Sequence, residues 1–116
     1  MVTIDITPRQ AIEQLEHDLE LAPDELALAM GVSTRTLVRW RAGATYPQRE
    51  ARQKLAEMIA LNHHLRDTFR TEKGIRSWMH ASSRYLGGLT PADAMRAGRI
   101  DRVEAALEAL DSGIYL

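Results

Sequence analysis

The sequence predicts an all-α protein, and three observations predict it. Apolar residues recur three and four positions apart through nearly every segment, which places them on one face of a helix. Helix-start signatures accompany them at Thr7-Pro8, Pro23, Ser33 and Thr90-Pro91. Only Val2–Ile6 alternates in the manner of a strand, and so short a stretch makes an extended arm or an edge strand, never a sheet alone. About six or seven helices are expected on this reading.

Thr7-Pro8-Arg9-Gln10 reads as a capping box with proline at the first helical position. Ala11, Ile12, Leu15 and Leu19 follow at helical spacing, so a first helix is expected over residues 8–20. Its acidic residues Glu13, Glu16 and Glu20 form an outer face, expected to be solvated and turned away from any polyanion.

The chain is organised around Asp24–Gly43, DELALAMGVSTRTLVRWRAG, which reads as two short helices joined by a tight turn. Pro23 opens the first, Leu21 can staple onto Leu26, and Gly31 stands where the helix stops and reverses. Ser33 caps the second, and Leu26, Ala27, Met30, Val32, Leu37 and Trp40 form the shared core. Thr34, Arg35, Thr36 and Arg39 are left facing outward, a surface able to enter a major groove. An ordinary helical hairpin with a solvated arginine face is the competing reading. The Gly-Val-Ser turn, Trp40 and Gly43 occurring together favour a DNA-binding helix-turn-helix, with Ser33, Thr34, Arg35, Thr36, Arg39 and Arg41 as candidate contacts. A unit this small offers few contacts, so a homodimer reading two half-sites is expected.

Ala44-Thr45-Tyr46-Pro47 breaks the helix, and a proline-started helix of about twenty residues carries Ala51, Leu55, Met58, Ile59, Leu65 and Phe69 on one stripe. His63 and His64 are neighbours on it and point apart. With no carboxylate or third histidine at ligand spacing they are expected to be surface or packing residues, so no metal site is expected.

From Thr71 the elements shorten. Ile75, Trp78 and Met79 phase together, with Trp78 expected in the core of this half; Ser83-Arg84-Tyr85-Leu86 makes at most one turn before Gly87-Gly88. Thr90-Pro91-Ala92-Asp93 caps a helix ending at Gly98, and Asp101-Arg102-Val103-Glu104 caps a last one with Val103, Ala106, Leu107 and Leu110 inward. Gly113 stops it and leaves an apolar end, Ile114-Tyr115-Leu116. Chain ends are usually polar and frayed, so this one is either tucked onto Val103-Leu107-Leu110 or kept for a partner's pocket.

A net charge of −1 over 116 residues, taken whole, argues against nucleic acid, but the charge is unevenly placed. Residues 1–25 hold one base against seven acids, a balance of −6; residues 26–54 hold six bases against one acid, +5; residues 55–116 hold eight of each. The positive charge sits where DNA would lie. The chain has no cysteine, hence no disulfide or thiolate metal site, and no stretch approaches a membrane span; a cytoplasmic protein without a cofactor is expected.

The stretch Asp24–Gly43 resembles the Xre and lambda-repressor-like family in its helix, Gly-Val-Ser turn, aliphatic residue, Trp and Gly. That resemblance implies a lambda-repressor-like bundle over residues 1–70, with Arg49 and Arg52 near the DNA backbone. The pattern Trp78, Tyr85-Leu86-Gly87-Gly88, Thr90-Pro91, Gly98-Arg99-Ile100-Asp101, Val103, Leu107 and Gly113-Ile114-Tyr115 resembles the C-terminal toxin-binding domain of the Xre/MbcA/ParS antitoxin family, over residues 71–116. It implies an antitoxin, not an enzyme, whose partner is a RES-domain toxin that degrades NAD. The toxin-binding residues implied are Trp78, Tyr85, Arg99 and the tail Gly113, Ile114, Tyr115 and Leu116, which would cover the toxin's active site. The sequence departs from the Xre pattern at Arg41, where many members are acidic, and at Pro23, where a polar DNA-contacting residue is common. A stand-alone repressor whose C-terminal helices only dimerise or sense a ligand is the alternative, and it lacks a convergent polar pocket signature. An enzyme would need its groups from Ser82, Ser83, His80 and scattered carboxylates, and their spacing supports none.

Overall fold

The structure is a computed structural model and describes residues 6–113. Among these there are seven helices and no strand: α1 (Pro8–Asp18), α2 (Pro23–Met30), α3 (Thr34–Ala42), α4 (Arg49–Phe69), α5 (Glu72–Met79), α6 (Pro91–Arg96) and α7 (Ile100–Asp111). The expected all-α class holds. The arm over Val2–Ile6, all but its last residue, and the tail Ile114–Leu116 lie outside the described residues. The chain divides into two compact units, one ending at Asn62 and one beginning at His63, a division within α4 and ahead of the one expected after Arg70.

In the first unit, Thr7 and Gln10 close the expected capping box, Thr7 Oγ1 accepting from the Gln10 amide at 3.2 Å and Gln10 Oε1 from the Thr7 amide at 2.9 Å. Helix α1 ends at Asp18, short of expectation, because Glu20 turns into the left-handed region at φ 54°. Glu25 accepts from the Ala22 amide at 2.9 Å and so holds the start of α2. Gly31 ends that helix at φ 72°, a conformation a side chain disfavours, while the Val32 amide reaches back to the Ala27 carbonyl at 3.0 Å. Ser33 caps α3 as expected, accepting from the Thr36 amide at 3.1 Å. Ile12, Leu15, Leu26, Leu37, Leu55 and Met58 are fully enclosed, and Trp40 is buried among the core residues of this unit. Pro47, expected at the first helical position, is buried in the loop instead, and α4 starts at Arg49.

One polar side chain sits wholly inside this unit. Asn62 is 0% exposed and donates from Nδ2 to the Asp18 carboxylate at 2.9 Å, tying α4 to the end of α1, while its Oδ1 has no partner.

In the second unit, Arg70 takes the left-handed conformation after α4, and Thr71 caps α5 by accepting from the Gly74 amide at 3.0 Å. The segment between α5 and α6 is a closed loop: Ser83 and Leu89 pair through N–H to carbonyl at 2.9 Å, and the Gly88 amide donates to the Ser83 carbonyl at 2.8 Å. Gly87 and Gly88 both have positive φ, at 67° and 95°, which is what lets so short a loop close. Thr90 and Asp93 form the expected capping box on α6, with Oγ1 accepting at 3.0 Å and Oδ2 at 3.2 Å. Ile75, Met79, Leu86, Met95, Val103 and Leu107 make the core.

Two expectations for this unit are corrected. Trp78 is half-buried rather than enclosed: its ring packs on Phe69, centroids 5.7 Å apart, and it lines a surface groove. Asp101 is not the cap of α7, since the helix already starts at Ile100 and Arg99 occupies the cap position, its side chain making no capping bond to the helix backbone.

Candidate functional site

Two surfaces carry the candidate residues, one in each unit. On the first, the spacing of α3 buries Leu37 and Trp40 and turns Thr34, Arg35 and Arg39 to solvent, with Thr36 half-buried. The Ser33 hydroxyl is engaged locally, donating to Thr36 Oγ1 at 3.0 Å besides capping the helix. Arg35, Arg39 and Arg49 make no ion pair among the described residues. Arg41 and Arg52 differ. Arg41, set beside the others from sequence, is half-buried and turns from that face onto Glu16 of α1, so it is committed within the fold. The same pair removes Glu16 from the solvated face expected for α1, where its side chain is only 15% exposed. Arg52 donates to the Pro47 carbonyl at 2.8 Å and stacks over Tyr46 at 5.4 Å, bracing the loop into α4.

On the second surface, Trp78, Ser82, Ser83, Arg84 and Tyr85 line a groove of about 230 Å³ whose floor includes Ala106 and Leu110 of α7. Tyr85 is half-buried, and Leu89 on the same loop is 57% exposed. Arg99 lies on the surface and grips Asp101 with two bonds, Nε at 3.1 Å and Nη2 at 3.0 Å. That hydrogen bond lowers the Asp101 carboxyl below its ordinary range and raises Arg99. Gly113 follows α7 in the left-handed region, its amide on the Leu110 carbonyl at 3.1 Å, and the remaining tail candidates lie outside the described residues.

A further cluster in the same unit was missed from sequence. His64, in the C-terminal part of α4, is held by two carboxylates of α7, Glu104 on Nδ1 and Asp111 on Nε2, and Thr68 donates to Asp111 at 3.0 Å. Burial opposes the charge on His64, but the hydrogen bonds to Asp111 and Glu104 outweigh it and raise the imidazole pKa. Glu104 and Asp111 stand one heptad apart on one face of α7, the only trace of the cluster in the sequence. Among the described residues no group of three or more side chains could hold a metal ion, and no helix is long and apolar enough to cross a membrane.

Residues 64–113 match the family described as the antitoxin Xre/MbcA/ParS C-terminal toxin-binding domain. The chain is also 31% identical over 98 residues to the mycobacterial cidal antitoxin MbcA of Mycobacterium tuberculosis, covering 84% of this chain and 86% of that protein. The chain belongs to the Xre/MbcA/ParS antitoxin family. Another member, a probable mycobacterial cidal antitoxin of the same organism, is 34% identical over 92 residues, 79% of this chain and 77% of that one. The crystal structure of the M. tuberculosis MbcT–MbcA toxin–antitoxin complex contains a chain of the same fold, with TM-score 0.66 and 28% identity over 93% of this chain and 96% of that one. The family match takes in the groove, Arg99 and the His64 cluster.

Proposed function

We propose that the protein is the antitoxin of a toxin–antitoxin pair, that its partner is a RES-type toxin that degrades NAD, and that it represses its own operon. The observation that carries the reading is the match of residues 64–113 to a toxin-binding domain, in a stretch where Trp78 and Tyr85 line an open groove. Half-buried aromatics in a groove suit a partner, because they desolvate a large rigid area at little entropic cost. Arg99 stands at the start of α7, and Gly113 releases the apolar tail Ile114-Tyr115-Leu116. In this reading the tail covers the toxin's active site, so neutralisation needs no chemistry from the antitoxin.

The second half of the proposal places α3 in the major groove of operator DNA, with Arg35 and Arg39 toward the bases, Thr34 and Thr36 beside them, and Arg49 on the phosphate backbone. Arg52 shapes the loop there, Ser33 holds the helix start, and Arg41 is withdrawn from the contact set. A homodimer would present two such helices about one turn of DNA apart.

The test is a truncation. The full chain is mixed with a RES-type toxin and NAD loss is followed, beside a variant lacking residues 113–116. Inhibition by the full chain and its loss on truncation, with the circular dichroism spectrum unchanged, is expected. Equal inhibition by both would move neutralisation to the groove around Trp78 and Tyr85. No inhibition by the full chain would remove the RES toxin as partner.

A further inference from the structure

Four large apolar side chains are exposed among the described residues, and one lies on the charged face of α3. Val38 is 46% exposed. At ~100° per residue it stands about 60° round the helix from Arg35, clear of the buried Leu37 and Trp40. Helix propensity does not explain it, since a β-branched residue loses side-chain freedom in a helix and a lysine, glutamate or alanine would serve better on a solvated face. Core packing does not explain it either, because the adjacent Leu37 carries that contact at 0% exposure.

What surrounds Val38 is cationic. Arg35 precedes it by one turn and Arg39 follows it directly, neither in an ion pair among the described residues, within the segment 26–54 that carries +5. Charge of that sign, on a helix face exposed at Arg35, Val38 and Arg39, is complementary to a phosphate-walled groove. Within the major groove the base edges present hydrogen-bonding groups to an arginine, and a single apolar one, the 5-methyl of thymine.

We infer that Val38 is the residue by which α3 selects thymine, packing its isopropyl group against the 5-methyl of a base neighbouring the one that Arg35 faces. The inference rests on the proposal that α3 enters a major groove, and it adds a specificity element which that proposal does not contain. Each half-site then holds a thymine next to the guanine that an arginine would take at O6 and N7.

The experiment separates the two. Duplexes are selected from a random double-stranded library with the full wild-type chain, and each thymine of the selected site is replaced singly by deoxyuridine, which removes the methyl and nothing else. One position per half-site should weaken wild-type binding about fourfold, the equivalent of returning one methyl-sized group to water. Val38→Ala, which removes the contact from both half-sites of the dimer, should bind the unmodified site about sixteenfold more weakly and be indifferent to deoxyuridine at that position, with its thermal midpoint unchanged. A Val38→Ala chain that binds like wild type, or that still senses the methyl at every position wild type does, overturns the assignment of Val38 alone. A wild-type chain that selects no sequence overturns the groove reading, and this inference with it.

Discussion

The Arg41 guanidinium of α3 closes onto the Glu16 carboxylate of α1, 25 residues back along the chain. The arginine is 33% exposed, its Nε is buried with no partner, and the bond to Glu16 therefore carries the compensation for bringing a cation off the surface. Because the pair is partly open to water, Glu16→Ala should cost about 1–2 kcal/mol, and Glu16→Ala with Arg41→Met less than the sum of the two single changes. Urea denaturation of the four chains measures the coupling, and additive losses would show that the contact contributes nothing of its own.

Trp40 packs the first unit from α3 and is 8% exposed. Trp40→Ala should cost roughly 3–5 kcal/mol by emptying that space. On the proposed reading of α3, any operator binding should be lost together with the helix signal, and a folded variant of unchanged stability would remove Trp40 from the core.

Asn62 donates to Asp18 from a position with no exposure. Asn62→Asp replaces that donor with a second buried carboxylate, so the two cannot both ionise cheaply. The variant should lose about 3 kcal/mol or more at neutral pH and recover part of it in mild acid, where one proton is shared. Stability that does not respond to acid would mean the pair does not face itself as described.

His64 titrates above its ordinary value of 6.5 because Asp111 and Glu104 reward its charge more than burial penalises it. A raised value means that the folded state holds the proton more tightly than the unfolded chain. The contribution to stability is thus complete below the ordinary histidine range and is lost as pH rises through the folded value. Asp111, lowered by its bond to His64, adds a contribution that is present above 3.8 and fades only in acid. Thermal midpoints in the wild type should therefore fall as pH rises above the ordinary histidine value of 6.5, and His64→Gln should flatten that slope. A wild-type profile as flat as the variant's would deny His64 this role.

Arg70 ends α4 at φ 62°, where a side chain is strained and glycine is not. Arg70→Gly should raise stability by about 0.5–1 kcal/mol, readable as a higher denaturant midpoint with unchanged slope.

Local grammar carried most of the fold. Thr7, Ser33, Thr71 and Thr90 cap helices through bonds that reach three residues, so capping there lies within one window of the chain. Leu37 and Trp40 fall inward by the same periodicity that turns Arg35 and Arg39 outward. What sequence could not supply were pairings across elements: Glu16 with Arg41, Asp18 with Asn62, and His64 with acids 40 and 47 positions on. Each of these charged or polar residues looks solvated when its own helix is taken alone. Trp78 misled in the opposite direction, since a tryptophan in phase with Ile75 and Met79 suggests a core, whereas its ring sits at the rim against Phe69. Val38 escaped notice because the outward face was assigned from its polar residues alone, and only the structure shows how far this valine is exposed beside them.

The loop from Ser83 to Leu89 is closed by its own main chain, through bonds from the Ser83, Leu86, Gly87 and Gly88 amides, and only Leu86 is sunk into the core. Its backbone shape therefore asks little of the side chains at positions 84 and 89, provided the glycine pair stays. Substitutions at those two positions should then need no compensating stabiliser elsewhere in the unit. A scaffold of that kind separates the chemistry the loop presents from the architecture that presents it.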